Sequence, residues 1–350
     1  MPPRKSRTTK PDQSNPANEA MLAALQFIEP ASSDVGPPNA THCLIANKRV
    51  HLFNGTMGLG CPIDLDIVAA PNLKLLLAAL KRCKKETQIT QLDNDRLSVK
   101  SGPFTANVPC LDPALLMPVD FTPPVAPADD KLKVSIEAVA KLAKENAERV
   151  LTASVLFRNG SCVTTNGHVV MEHWHGINMP EIMMPKLSAM TLAKCNKKLE
   201  SFALTQDPMN NHAITAITFY FEGGFWFRSQ LYVERFPEKI DDVLGIAAKP
   251  WPMPEGLWSA LEAIEPFTEE HDRIYLGQKT IKTVKFGVNG TGATYEINGT
   301  LPAEPIALKR EYLMFMHGFA DKVDWNASEA IAAFYGENFR GMIAKIKTKE

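Results

Sequence analysis

Residues 162–176 read CVTTNGHVVMEHWHG and bring three imidazoles, His168, His173 and His175, close together in the chain, with Cys162 and Glu172 as further donors. Neutral imidazole is the commonest metal ligand, so the first chemistry to consider is a metal centre. A catalytic zinc takes at least three protein ligands, commonly through a helical His-Glu-x-x-His or a cysteine pair. Here His168 follows an Asn-Gly turn, whereas His173 and His175 lie in an extended run. That spacing favours a locally decorated turn over a ligand set, and metal analysis would test a metal-dependent hydrolase built on the three. Nucleophile and phosphate signatures are missing: there is no G-x-S-x-G, P-loop or dinucleotide fingerprint, and GVNGTG sits in a strand-rich stretch. The paired carboxylates Asp129-Asp130 and Asp241-Asp242 fall in linker-like or turn-like places. The expectation is a protein that is not an enzyme, with no cofactor and no metal.

The elements that would position these residues recur along the chain. Asn47 precedes Asn54-Gly55 by the same interval as Asn159 precedes Asn166-Gly167; Pro71-Asn72-Leu73 and Pro185-Lys186-Leu187 each open a helix-like run; Lys100-Ser101 before Pro109 is matched by Arg228-Ser229 before Pro237. Landmarks in the same order imply two copies of one unit. Each copy is expected to open with an amphipathic helix, on Met21, Leu25 and Ile28 or on Ile136, Val139 and Ala143. A hairpin follows, turned at Asn47-Lys48 or at Asn159-Gly160, where Asn-Gly supplies the positive φ angles that type I′ requires. Next come a second helix, PNLKLLLAALKRCKKE or PKLSAMTLAKCNKKLE, with proline expected in its first turn, and closing strands such as AITFYF and FWFRSQL joined at EGG. A third copy follows in element order, with a turn expected at Asn289-Gly290.

With 350 residues, 45% of them hydrophobic and 22% charged, the chain has the balance of a folded protein of two or three domains. Two proline-rich stretches, 117–131 and 249–256, suit connectors. The expected divisions are a disordered basic tail over 1–17 and domains over 18–126, 127–248 and 249–350. Six cysteines are scattered singly, which suggests reduced, packed thiols. The N-terminus lacks a secretory apolar core and no run approaches a membrane span, so a cytoplasmic location without membrane contact is expected.

Net charge is -1, so any polyanion must be met by a patch. The second helices supply one in each copy: Lys74, Lys81 and Lys85 recur on one face of the first, and Lys194, Lys197 and Lys198 cluster at the end of the other. One such helix would be an ordinary solvated face. Its repetition points to a row of cations suited to phosphates and indifferent to bases. The region from Glu255 to Glu270 is acidic and works against a uniformly basic lining.

Three such domains, with VLFRNGSCVTTNGHVVM, RSQLYVERFPE and IALKREYLMFM at corresponding places, resemble the bacterial sliding clamp, the β subunit of DNA polymerase III. Ser229, Leu231, Phe236 and Pro237 fit that family's Ser-x-Leu-x-x-Gly-x-Phe-Pro-Asp signature. The resemblance implies an α+β fold of three clamp-type domains, each with two helices packed on antiparallel sheets, closing head to tail as a homodimer ring. It implies double-stranded DNA gripped without sequence preference by the six lysines, and a DNA polymerase and clamp loader as partners. It also implies a peptide pocket on Arg149, Thr165, Gly167, His168, Val170 and Ile346. Asn166 stands for the family Asp, Val169 for Arg and Glu234 for Gly, and Ala344-Lys345-Ile346-Lys347 stands for Met-Pro-Met-Arg. These departures suit a phage- or prophage-encoded member with its own polymerase. The competing expectation is a clamp-like binding module that forms no ring and binds replication proteins.

Overall fold

A computed structural model describes residues 16–33, 37–84, 86–92, 95–117, 119, 122–144, 148–234, 236–237, 239–268, 272–285 and 292–347. One series of elements recurs three times. The first comprises α1 (Pro16–Ile28), α2 (Pro38–Thr41), β1 (Leu44–Ala46), β2 (Arg49–Phe53), β3 (Met57–Pro62), β4 (Ala70–Pro71), α3 (Leu73–Arg82), β5 (Gln88–Leu92), β6 (Arg96–Ser101) and β7 (Phe104–Leu111). The second runs β8 (Ala126–Pro127), α4 (Lys131–Ala140), β9 (Ser154–Arg158), β10 (Ser161–Thr165), β11 (Val169–Trp174), β12 (Ile182–Pro185), α5 (Lys186–Ala193), β13 (Leu199–Asp207), β14 (Ala213–Phe221) and β15 (Phe225–Gln230). After α6 (Lys239–Leu244), the third runs β16 (Trp251–Pro252), α7 (Leu257–Ile264), β17 (Arg273–Gly277), β18 (Thr280–Lys282), β19 (Thr294–Glu296), β20 (Ile306–Lys309), α8 (Arg310–Met314), β21 (Lys322–Asp324), β22 (Ile331–Gly336) and β23 (Phe339–Ala344).

Every strand pairing is antiparallel, so the observed class is the expected α+β. The chain divides into two compact units, Met1–Pro127 with Asn196–Gln230, and Ala128–Cys195 with Leu231–Glu350. In the first, a seven-stranded sheet runs β1-β2-β3-β15-β14-β13-β8 beside a four-stranded β4-β7-β6-β5. In the second, an eight-stranded sheet runs β12-β9-β10-β11-β23-β22-β21-β16 beside a four-stranded β19-β18-β17-β20. The units follow the strand pairing. The last strand of one series is hydrogen-bonded to the third strand after the opening helix of the preceding one, counted from α1 or α4: β15 to β3 and β23 to β11.

Asparagine sets the matching turns. Asn54 Oδ1 accepts from Thr56 N and Met57 N, both at 2.9 Å, and Gly55 has φ 93°. Asn166 Oδ1 accepts from His168 N at 3.0 Å and Val169 N at 2.9 Å, and Gly167 has φ 90°. Each side chain closes an Asx turn whose next residue needs the left-handed region, where glycine is unstrained. The hairpin at Asn47-Lys48 has positive φ at both residues, 52° and 56°, as type I′ demands. At Asn159-Gly160 only Gly160 is positive, so this turn is not type I′.

The helices start and stop differently from expectation. Pro71 and Pro185 are the last residues of β4 and β12, and neither lies in a first turn. Asn72 caps α3, accepting from Leu75 N at 3.1 Å. α4 ends at Ala140, before Ala143, and α5 ends at Ala193. The turn expected at Asn289-Gly290 lies outside the described residues. No helix among the described residues is long and apolar enough to cross a membrane.

The core of the first unit includes Leu25 and Ile28 of α1, Leu76 and Leu80 of α3, and Phe202, Phe219 and Phe227 of the sheet. In the second unit Leu132, Ile136 and Val139 of α4 are buried, as are Phe157, Phe334 and Phe339. The seam between β3 and β15 depends on a missing side chain. Gly60 is registered opposite Trp226, and a Cβ built on it would lie 2.5 Å from the indole ring. Glycine inside a strand marks such close approaches. Gly60→Ala is therefore expected to cost about 1–3 kcal/mol through overpacking and to lower the thermal midpoint, with Trp226→Leu recovering part of the loss. A Gly60→Ala melt superimposable on wild type would contradict this packing.

Candidate nucleic-acid and partner interfaces

The strand β10, the Asn166 turn and β11 build one candidate site, wholly within the second unit. Thr165 is buried; its hydroxyl donates to Val169 O at 2.7 Å and accepts from Gly167 N at 3.1 Å, which fixes the turn from inside. The turn leaves His168 exposed, its ring stacked on Tyr312 of α8 with centroids 5.9 Å apart. Lys309 Nζ lies 5.2 Å from the centre of the same tyrosine ring. His168 O accepts from Ala344 N at 2.8 Å, which ties the turn to the end of β23.

Val170, only 6% exposed, joins an apolar cluster with Leu156, Val163, Met183, Phe236, Leu244 and Met342. Val150, Leu151, Tyr232, Ile240 and Val243 border it. Arg149 is exposed and directly precedes Val150 and Leu151. Ile346 is placed apart from Val170: it lines an open cavity of about 570 Å³ with Pro305, Ile306, Ala307 and Ala330, and its N–H donates to Ala307 O at 2.9 Å. The structure thus gathers Thr165, Gly167, His168 and Val170 on one turn, sets Arg149 at the cluster's border and puts Ile346 in the neighbouring cavity. Lys345 is held at that cavity's edge, its ammonium donating to Asn326 Oδ1 at 2.9 Å and Ser328 O at 3.0 Å.

Reading the sequence missed what fixes α6 over this sheet. Glu172, 1% exposed, receives hydrogen bonds from Ser161 Oγ at 2.7 Å, from Arg340 Nε at 3.1 Å and from Arg158. The two guanidiniums reach onward to α6: Arg158 pairs with Asp241, and Arg340 Nη1 donates to Leu244 O at 2.8 Å. Burial opposes ionisation of Glu172, but the hydrogen bonds from Arg158, Ser161 and Arg340 outweigh it and hold the carboxyl below the usual carboxylate range. Asp241-Asp242, expected to be solvated turn acids, thus include one residue of an ion network. The alternation Val170, Glu172, Trp174 was the available signal, because a charged residue on an otherwise apolar strand face needs a partner.

The three histidines point to separate surroundings. His173 Nδ1 shares a hydrogen bond of 2.8 Å with Ser135 of α4, and His175 Nδ1 accepts from Ile177 N at 3.0 Å. Burial lowers the pKa of both. Among the described residues no group of three potential ligands gathers.

The lysines divide between units. Lys74 and Lys81 occupy the exposed face of α3, opposite buried Leu73, Leu76, Leu77 and Leu80. Lys197 and Lys198 are not helical as expected, since they lie in the turn before β13 in the first unit. Lys197 Nζ sits 4.4 Å from the centre of the Phe225 ring, which meets Phe27 of α1 edge-on at 4.8 Å. This ammonium is therefore on the helix side of its sheet. Lys194 is the C-cap of α5 in the second unit, and Lys85 lies outside the described residues.

No family model and no curated protein matches the chain. Solved structures do. The DNA polymerase III subunit beta from Pseudomonas aeruginosa matches with a TM-score of 0.76 and 16% identity, covering 95% of this chain and 98% of that one. The beta subunit from Streptococcus pyogenes matches at TM-score 0.77 and 15% identity, with the same 95% and 98% coverage. The C. crescentus beta sliding clamp matches at 0.76 and 14%, again over 95% and 98%. Likeness at such low identity over nearly the whole of both chains establishes the DNA clamp fold, in a sequence far diverged from these structures.

The Glu172 network gives a direct check on the geometry around α6. Glu172→Ala would leave two guanidiniums facing each other without their carboxylate, at a cost of about 3–5 kcal/mol. Because the folded-state pKa is depressed, the contribution is present above the ordinary carboxylate pKa of about 4.3 and is lost as pH falls through the folded value. Urea titrations are expected to show a flatter stability profile on acidification for Glu172→Ala than for wild type. Parallel profiles would contradict the network.

Proposed function

We propose that the protein is a DNA sliding clamp: a homodimeric ring that encircles duplex DNA and tethers a polymerase. The observation that carries this reading is the seam made twice within the chain. β3 joins β15 and β11 joins β23, each the third strand after the opening helix of one series (α1 or α4) meeting the last strand of the next. The same rule applied a third time would join β19 to β7. Among the described residues β19 pairs only with β18, and residues 104–108 of β7 pair only with β6. Two copies of the chain, head to tail, would close both edges and leave no exposed seam. On this reading the domains are 18–126, 127–248 and 249–350, although α1 starts at Pro16 and β8 (Ala126–Pro127) spans the first boundary, and in a ring of six such domains the helices would face the hole.

On this reading Lys74, Lys81, Lys85, Lys194, Lys197 and Lys198 face duplex phosphates. Cations on helices bind phosphates without reading bases, so the grip is weak at each point and the ring slides; topology keeps it on the DNA. Arg149, Thr165, Gly167, His168, Val170 and Ile346 serve a partner peptide from a polymerase or clamp loader, with Tyr312 and Leu151 as further walls. No bond-making step is required and the protein is not an enzyme. Its place is the cytoplasm, and a phage or prophage origin would account for the reshaped pocket.

One observation favours the ring-less binding module. α7 and its flanks carry Glu255, Glu262 and Glu265 with no lysine or arginine between 250 and 272; Arg310 pairs with Glu265 at 3.0 Å, and the carboxylates of Glu255 and Glu262 repel phosphate. The full-length triple variant Lys74→Glu, Lys194→Glu and Lys198→Glu separates the readings. Its association with a short labelled duplex is expected to show a salt slope reduced by about 2–3, close to 0.9 for each phosphate no longer neutralised, while its solution mass is unchanged. An unchanged slope would remove the lysine lining.

A further inference from the structure

Past Glu172, the face of β11 that carries Val170 continues to Trp174, about 13 Å from Val170 along an extended strand. A ring of that size is normally covered, yet Trp174 is 38% exposed. It forms one wall of an open cavity of about 580 Å³, wholly within the second unit, whose other walls include Arg158, Arg340, Glu172, Met179, Pro180 and Glu181. That volume is ample for a side chain from another molecule. The cavity is separate from the one at Ile346, with which it shares no lining residue.

The charges around this cavity leave one carboxylate unanswered. Arg158 is spent on Glu172 and Asp241, and Arg340 on Glu172 and Leu244 O. Glu181 is exposed at the rim and, among the described residues, has no ion pair. The indole beside it supplies the second half of a cation site. Its ring face attracts cations through the quadrupole, and it already holds one, since the Arg340 guanidinium lies 5.2 Å from the ring centre. The part of the ring that stays exposed offers the same chemistry to a cation from outside, with Met179 and Pro180 as apolar surface for an aliphatic stem. An anion would meet repulsion from Glu181 and from the negative ring face, with both guanidiniums already bound to Glu172. We infer that this cavity is a docking site for an arginine or lysine side chain of a partner protein, the cation seated on Trp174 and paired with Glu181. It shares a sheet face with the proposed peptide site, so one partner can engage both. The cavity's own geometry carries the inference, which does not depend on ring closure or on DNA.

The test is ligand-observed saturation-transfer NMR on the full-length protein, with N-acetyl-arginine amide as the probe and N-acetyl-citrulline amide, its uncharged counterpart, as the control. Wild type is expected to bind the arginine probe at least about fivefold more tightly than the citrulline one, from an exposed cation–π contact and an exposed ion pair together. Glu181→Gln and Trp174→Ala are each expected to lose most of that preference, whereas Trp174→Phe, which keeps an aromatic face, retains part of it. Equal binding of the two probes by wild type, binding of neither, or a preference unaltered in Glu181→Gln overturns the inference. Tighter binding of N-acetyl-glutamate amide than of the arginine probe also overturns it, by assigning the cavity to an anion. So does a lowered sedimentation mass of Glu181→Gln, which would assign the face to a second copy. The salt slope of the lysine variant tests the DNA reading separately, so the two can fail independently.

Discussion

The antiparallel seam between the third strand after the opening helix of one element series and the last strand of the next is the constraint on which the rest of this structure depends. A sheet edge exposes a row of unpaired N–H and C=O groups, and a chain of repeats that ended at its own edges would aggregate along them. Here two seams are closed internally, and each demands local concessions. β3 gives up side chains at Gly58 and Gly60, so that the Phe53 and Trp226 rings can lie against it. β11 accepts Arg340 opposite Glu172 and so gains a buried ion network at its seam with β23. The proposed ring is the same pairing made between molecules, with β7 and β19 as the edges to be joined.

That geometry separates two kinds of work. Strands make the seams, where directional hydrogen bonds fix register. The face of α3 and the segment before β13 carry lysines, whose long side chains offer charge without fixed geometry, which suits a ligand that must be held and still move. The charge is distributed unevenly. The face of α3 is basic, whereas α7 and its flanks carry Glu255, Glu262 and Glu265. In the proposed ring, DNA would meet a lining graded in potential. At the proposed peptide site the polar work is done by the turn, through Asn166 and Thr165, while His168 stacks on Tyr312 and Val170 is committed to the apolar cluster.

Much of the fold was legible from asparagine and glycine alone. Asn54-Gly55 and Asn166-Gly167 form equivalent Asx turns because a short acceptor side chain followed by an unhindered φ specifies that turn almost irrespective of context. Leu73, Leu76, Leu77 and Leu80 lie buried on one face of α3 as their spacing requires. Proline misled: Pro71 and Pro185 close strands, since a helix N-cap and a strand end ask for the same extended backbone. Lys197 and Lys198 misled similarly. A basic run beyond an amphipathic stretch looks helical, yet α5 stops at Ala193 and its C-cap Lys194, and the lysines fall in a turn. That Glu172 needs a partner was legible from its strand face, but its partners were not, because Arg158, Asp241 and Arg340 are brought to it by three different elements and no local pattern links them.

Closure of the chain on a second copy of itself is decided by sedimentation of the full-length protein over a range of concentrations at physiological salt. A closed ring requires a species of twice the chain mass that persists on dilution. A monomer at every concentration, unaltered by adding duplex DNA, would contradict the ring and leave a clamp-folded binding module.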